Sequence, residues 1–251
     1  ALSATKTLES FSVTGNTNII YTDGFRRNNS LNQKNGNLEF KGITENLSYH
    51  INFLSHNQFM QLPGIRNPAQ LRNDPRGSST LDQFTQRNGY KAFYGLNYSL
   101  ANNHEIVIDG SYSFDKSQGN LGEFVDTEIY NYQISPRYTF QHNLNQIQFD
   151  NIFGIDLIYA NYYSDRMDED GNYYYSKYKM TDKTAAFYFN TNLKLNKNNK
   201  FSVGARYHWN WLQASNRVSS GAWYGGTFTD KATDSFSNPQ YSQFLRPTRL
   251  L

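Results

Sequence analysis

The sequence predicts an all-β fold, a transmembrane antiparallel up-and-down β-barrel, on three observations. Apolar and polar residues alternate with a period of two through most of the 251-residue chain, as in strands with one face in lipid and one in water. The alternating runs exceed the roughly 5–6 residues of an average soluble strand and reach the roughly 9–11 that cross a bilayer at a tilt. The connections between them are alternately short and long, which is how such barrels place tight turns on one side and loops on the other.

Taken in order, the strands are expected at 9–22, 30–43, 47–61, 89–100, 105–116, 128–140, 145–163, 184–195 and 200–213, with a further one near 240–250. Leu47, Tyr49, Ile51 and Phe53 alternate with Ser48, His50 and Asn52. Ala92, Tyr94, Leu96, Tyr98 and Leu100 alternate with Phe93, Gly95, Asn97 and Ser99, and Ile106, Ile108, Gly110, Tyr112 and Phe114 with Val107, Asp109, Ser111 and Ser113. Tyr130, Tyr132, Ile134, Tyr138 and Phe140 oppose Asn131, Gln133, Ser135, Arg137 and Thr139. Phe187, Phe189, Thr191 and Leu193 oppose Tyr188, Asn190 and Asn192. The cleanest sorting is Phe201, Val203, Ala205, Tyr207, Trp209 and Trp211 against Ser202, Gly204, Arg206, His208 and Asn210. Helical periodicity is nowhere convincing.

Short polar turns are expected at Thr44-Glu45-Asn46, Ala101 to His104, His142 to Asn145 and Asn196 to Asn199, and long segments at 62–88, 117–127, 164–183 and 212–239. By this rhythm the odd-numbered strands of the count run outward, toward the long loops. Tyr21, Tyr159, Tyr162, Tyr163, Trp209 and Trp211 are expected in an aromatic girdle on the loop side, and Phe140 and Phe201 in one on the turn side.

Composition agrees. The chain is 37% hydrophobic with Tyr 20 and Phe 18, yet its mean hydropathy is -0.75. Disorder is poor in aromatics, so that explanation fails, whereas a barrel needs only one apolar face per strand. A net charge of +3 with dispersed Lys and Arg gives no reason to expect nucleic acid. Without Cys there is neither a disulfide framework nor a thiolate metal site. ALSATKTLES lacks the basic and apolar regions of a secretory signal, so the signal is expected to have been removed or the chain to begin internally. No run of about 18 apolar residues is present, so any crossing is by strands.

No catalytic residues, metal ligands or cofactor are expected. His50, His56, His104, His142 and His208 have no metal-binding spacing, and the elbow, phosphate-loop and dinucleotide motifs are missing. Gly225-Gly226 reads as a turn in a polar loop. Asp165 to Asn172 resembles a calcium loop until the register is set. With Gly171 at position 6, Arg166 and Lys177 fall where carboxylates are required. Asp109, Asp150 and Asp156 share the inward face, which is routinely polar in barrels. Arg26, Arg27, Arg66, Arg72 and Arg76 are natural anion contacts, but solvated loop arginines are the commoner case, and no ligand-binding residue is assigned.

Four segments carry a family resemblance: DGFRRNNS (Asp23 to Ser30), Leu62-Pro63-Gly64 with AQLRNDPR (Ala69 to Arg76), Asn151 to Leu157, and NTNLKLNKNNKFSVGARYHWN (Asn190 to Asn210). Their order resembles TonB-dependent outer-membrane receptors, with Gly204, Arg206 and Tyr207 in the place of the Gly-x-Arg-Tyr strand. The resemblance implies no enzyme but active import of a scarce chelate, most often a ferric siderophore, across the outer membrane of a Gram-negative bacterium. The implied partners are the bilayer with its lipopolysaccharide, the metal chelate, and a TonB-type energy-coupling protein acting through an N-terminal plug. Such barrels have about 22 strands, against the nine or ten expected here, and nothing in 1–251 resembles the plug. The whole chain, 1–251, is therefore expected to be one partial barrel domain from the middle of the protein. The competing expectations are a small closed barrel, enzyme or pore, whose first and last strands would pair, and a soluble all-β binding module.

Overall fold

A strand crossing a bilayer must pair every backbone N–H and C=O with a neighbour, because lipid offers no partner. The computed structural model describes residues 1–145, 147–168, 174–195, 199–219, 227–230 and 240–249. Its strands are β1 (Leu2–Thr7), β2 (Phe11–Thr22), β3 (Leu31–Ile43), β4 (Leu47–Gln61), β5 (Phe84–Ala101), β6 (His104–Asn120), β7 (Phe124–Leu144), β8 (Ile147–Met167), β9 (Tyr174–Lys194), β10 (Asn199–Ser219), β11 (Thr227–Asp230) and β12 (Gln240–Arg249). Consecutive strands from β1 to β11 pair antiparallel in one sheet, and β12 also lies along β10. β11 takes the loop end of β10 at Asn216 to Ser219, and β12 takes the turn end at Asn199 to His208.

Among the described residues β1 pairs only with β2 and β12 only with β10. Among the described residues no ladder joins first strand to last, so they form an open sheet and not the small closed barrel. The sheet is one layer thick. Val107 and Ala186 are its only buried apolar side chains among the described residues, while Phe53, Phe153, Phe187 and Phe189 stay exposed on one face.

The structure corrects the sequence expectations at three places. Residues 2–7 form β1, a separate strand joined to β2 by the backbone bonds between Leu8 and Phe11. The outward-running strands are therefore the even-numbered ones. The segments 117–127 and 164–183 are mostly ladder: β6 and β7 meet at a turn where Gly122 has φ +94, and β8 reaches Met167. β7 and β8 are 21 residues each, about 70 Å at about 3.4 Å per residue, far beyond a bilayer crossing. Their outer ends are wet on both faces, so the apolar alternation stops while the hydrogen-bond ladder continues. Finally, the long segment after β4 holds one helical turn, α1 (Pro68–Asn73), whose Asn67 and Gln70 cap each other reciprocally.

Candidate functional site

The ladder sorts each strand's side chains into an outward and an inward set. Outward, Tyr90, Tyr112, Tyr132 and Tyr159 form a row across β5 to β8 with successive ring centroids 5.7, 4.7 and 6.0 Å apart. Toward the turns, Phe140, Phe153 and Phe189 form a second row at 6.1 and 6.4 Å, flanked by His104 stacked on Phe140 and His142 on Phe149. Tyr132 and Phe140 are eight steps apart on β7, about 27 Å of strand and about 20 Å of height at a tilt of about 40°, close to the apolar band of a membrane barrel. Two girdles at that spacing define a bilayer-facing surface. Tyr159, Tyr163, Trp209, Trp211, Phe140 and Phe201 lie on it as expected. Tyr162 does not: its register with Met180 puts it on the inward face, a parity that clusters of consecutive tyrosines hide.

A nearly buried polar side chain sits on the outward face below the tyrosines. Asn151 is 7% exposed, and its amide is satisfied by Thr191 Oγ1 at 3.0 Å, the Phe140 carbonyl at 3.3 Å and His142 Nδ1 at 3.2 Å.

Inward, the three acids expected to share a face are each bound to a cation. Arg137 holds Asp109 at 2.8 Å, Lys194 holds Asp150 at 2.8 Å, and Arg206 holds Asp156 at 2.6 Å. They sit in separate pairs, not in a carboxylate dyad. Tyr188 lies between Arg137 and Arg206, with the Arg206 guanidinium 5.5 Å from its ring.

Nearer the loops, the inward face carries two polar constellations. Arg87 grips Asp115 with both ends of its guanidinium at 2.6 and 2.7 Å, and its charge is held still more firmly by that carboxylate. His56 Nε2 stands 3.4 Å from the same Asp115, an ion pair when the ring is protonated. On β8 and β9, Tyr162 and Tyr178 meet edge to face at 5.8 Å. With Ser164, Arg166, Ser176 and Met180 they line a hollow of about 520 Å³. Tyr162 shares a rung with Ile129 and through it with Asp115, so the two constellations are neighbours on one wall. The alternation that marks the inward face was legible in the sequence; the pairing that brings β4 to β9 together there was not.

The loop arginines, natural anion contacts to which no ligand is assigned, mostly hold the loops together. Arg26 donates to the carbonyls of Gly77, Gly64 and Pro63 at 2.9, 3.0 and 3.1 Å. Arg27 pairs with Asp74 at 2.6 Å, Arg66 donates to the Asp74 carbonyl at 2.8 Å, and Arg76 donates to the Phe25 carbonyl at 3.1 Å. Arg72 lies exposed in the last turn of α1. Residues Glu169 to Asn172 of the acidic loop, the Asn196 to Asn198 turn and Gly225-Gly226 lie outside the described residues. Among the described residues no cluster of His, Asp or Glu is arranged to hold a metal.

Against known proteins, no family model and no curated protein sequence matches the chain. Solved structures do. The ferric citrate transporter FecA matches with a TM-score of 0.74 at 12% identity over 98% of this chain and 37% of its own. The fold is that of part of this transporter's barrel. The ferric-catecholate import receptor Fiu of E. coli K12 matches at 0.72 and 10% identity over 98% of this chain and 47% of its own, and the ferric yersiniabactin uptake receptor FyuA of Yersinia pestis at 0.66 and 10% over 97% and 40%. The chain thus spans less than half the length of the receptors it matches. A wall of that extent explains the open sheet, since ten or so strands cannot close at the diameter of such a barrel.

Proposed function

We propose that this chain is a section of the outer-membrane barrel of an importer for a metal chelate, most fittingly a ferric siderophore, energised through a TonB-type coupling protein. The observation that carries the reading is the open sheet itself: a girdled outward face and a polar inward face, superposing along almost its whole length on part of three iron-chelate receptors. In this reading Arg166, Tyr162 and Tyr178 meet the cargo from the wall. A guanidinium attracts an anionic chelate, and phenol rings stack on aromatic or flat chelating groups. The Arg87–Asp115–His56 cluster next to them adds polar and charged groups to the same wall.

The test is uptake of radiolabelled iron by cells expressing the full-length protein as their sole iron receptor, offered catecholate, hydroxamate and carboxylate chelates in turn. One class is expected to be taken up, and an uncoupler that collapses the proton gradient is expected to stop it. Arg166→Ala combined with Tyr178→Ala is expected to weaken chelate binding about tenfold, roughly 1.4 kcal/mol. Uptake of none of the three classes by cells that display the folded protein sinks the proposal.

A further inference from the structure

The hollow on the inward wall of β8 and β9 is built from three rungs, each with its own mismatch in size. Tyr162 faces Met180, Ser164 faces Tyr178, and Arg166 faces Ser176. The two serines are too small to fill their places beside these neighbours, so they floor a recess of about 520 Å³ that the four larger side chains surround. Ser164, at its base, is 7% exposed. The volume lies within the roughly 300–1,000 Å³ of small-molecule sites.

Its chemistry is aromatic with a single cation. Tyr162 and Tyr178 meet edge to face at 5.8 Å, an arrangement that leaves the faces of the edge-on ring unused by its partner. Met180 adds a polarisable sulfur, which aromatic rings favour. Ser164 Oγ accepts from Thr127 Oγ1 at 3.4 Å, so its own hydroxyl hydrogen is available to a ligand oxygen. Among the described residues Arg166 forms no ion pair. The acids near it are engaged elsewhere: Asp165, on the outward face, with Lys177 at 3.3 Å, and Asp115 with Arg87 at 2.6 Å.

Iron chelates of different classes present different surfaces to such a recess. A polycarboxylate complex is an aliphatic polyanion, matched by several cations where the recess has one. A trihydroxamate complex has aliphatic arms and no net charge for Arg166 to meet. An aryl-oxide complex, whose iron is held by phenolate or catecholate oxygens, carries an aromatic ring and anionic oxygens on one rigid unit. We propose that the recess binds one aryl-oxide arm of the cargo. The ring lies against Tyr162, Tyr178 and Met180, and the iron-bound oxygens face Arg166 and the Ser164 hydroxyl. The inference rests on the importer reading and goes beyond it in naming the chelate class.

The experiment equilibrates the full-length protein in detergent with radiolabelled ferric complexes of a catecholate, a trihydroxamate and citrate, and measures the iron retained. The catecholate complex is expected to bind about tenfold more tightly than either other. Tyr162→Leu with Tyr178→Leu is expected to lose that preference, and Tyr178→Phe to keep it, because the ring and not the hydroxyl does the stacking. Ser176→Leu is expected to fill the recess and lose catecholate binding with both rings and Arg166 intact. Heat-modifiable gel migration reports barrel integrity for each variant separately. Equal or tighter binding of the trihydroxamate or citrate complex, or an unchanged preference in the Tyr162/Tyr178 double variant, overturns the inference and leaves the importer reading standing. Binding of none of the three by the folded protein removes both.

Discussion

Arg206 Nη1 lies 2.6 Å from Asp156 Oδ2, although their strands, β10 and β8, are not neighbours. The arginine crosses β9 between Tyr188, directly opposite it, and Ala186, directly opposite Asp156. Ala186 is fully buried beneath this crossing. Small volume at position 186 is thus a condition of the bond. Replacing Ala186 by Leu is expected to push Arg206 off Asp156 and to cost about 1–3 kcal/mol, as overpacking generally does. Arg206→Gln, whose parent side chain is 40% exposed, is expected to cost only about 1 kcal/mol. Urea unfolding of the refolded protein in detergent measures both. Additive losses in the double variant would show that Ala186 does not act through Arg206.

On the rung beside that crossing, Gly154 lies under the Tyr188 ring. A Cβ built on Gly154 falls 2.1 Å from Tyr188 Cζ, so any side chain there must displace the ring. The ring is not idle, since Arg206 stacks on it. Gly154→Ala is expected to destabilise by about 1–2 kcal/mol. Tyr188→Ala in the same background is expected to abolish most of the difference between Gly and Ala at 154. A full-size penalty persisting without the ring would place the cost in the backbone instead.

Above the tyrosine row, Lys116 holds the Glu128 carboxyl below its usual range by a 2.8 Å hydrogen bond, and Glu128 in turn raises the Lys116 ammonium. A depressed carboxyl contributes stability at neutral pH that is lost as pH falls through its folded value. A raised ammonium contributes stability that is lost as pH rises through its own. Both side chains are 33% exposed, which limits the pair to at most about 1 kcal/mol. Glu128→Gln is therefore expected to flatten the acid limb of the stability curve slightly and leave neutral-pH folding intact, as followed by urea midpoints between mildly acidic and neutral pH. An unchanged acid limb would mean that the pair contributes nothing.

The sequence was legible where one side of a strand meets lipid. Within the girdled band, Ile106 to Phe114 and Phe201 to Trp211 alternate cleanly, and the structure places them as strands with the expected faces. It was less legible where both sides meet water. Lys116 to Asn120 and Phe124 to Glu128 are paired to each other, yet nothing in a polar run distinguishes a ladder from a loop. Residues 2–7 lack a strong apolar face, and only their pairing with Thr17 to Ser12 makes them a strand. The same limit hid the inward hollow: Tyr162 and Tyr178 are 16 positions apart in a tyrosine-rich stretch, and it takes the register of β8 against β9 to show that their rings meet.

Loop arginines illustrate the opposite case, in which residue type was plain and role was not. Arg26 reads as an anion contact, but its three donors all end on carbonyls of the 62–83 segment, at Pro63, Gly64 and Gly77. Asn28 reinforces it by donating to the Leu62 and Gln83 carbonyls at 2.8 and 3.1 Å. Together they staple the connection after β2 to the one after β4. The Pro63 carbonyl keeps the Ser79 N–H and the Ser78 hydroxyl, so losing the guanidinium strips its hydrogen bond from the Gly64 and Gly77 carbonyls, at about 1 kcal/mol or more in local stability. Arg26→Ala is expected to open this segment to protease in intact cells while heat-modifiable migration of the barrel stays unchanged. Arg72→Ala, on the exposed face of α1, is expected to leave the cleavage rate at the wild-type value. Equal protease resistance of the Arg26 variant and the parent would return Arg26 to the pool of residues available to an anionic ligand.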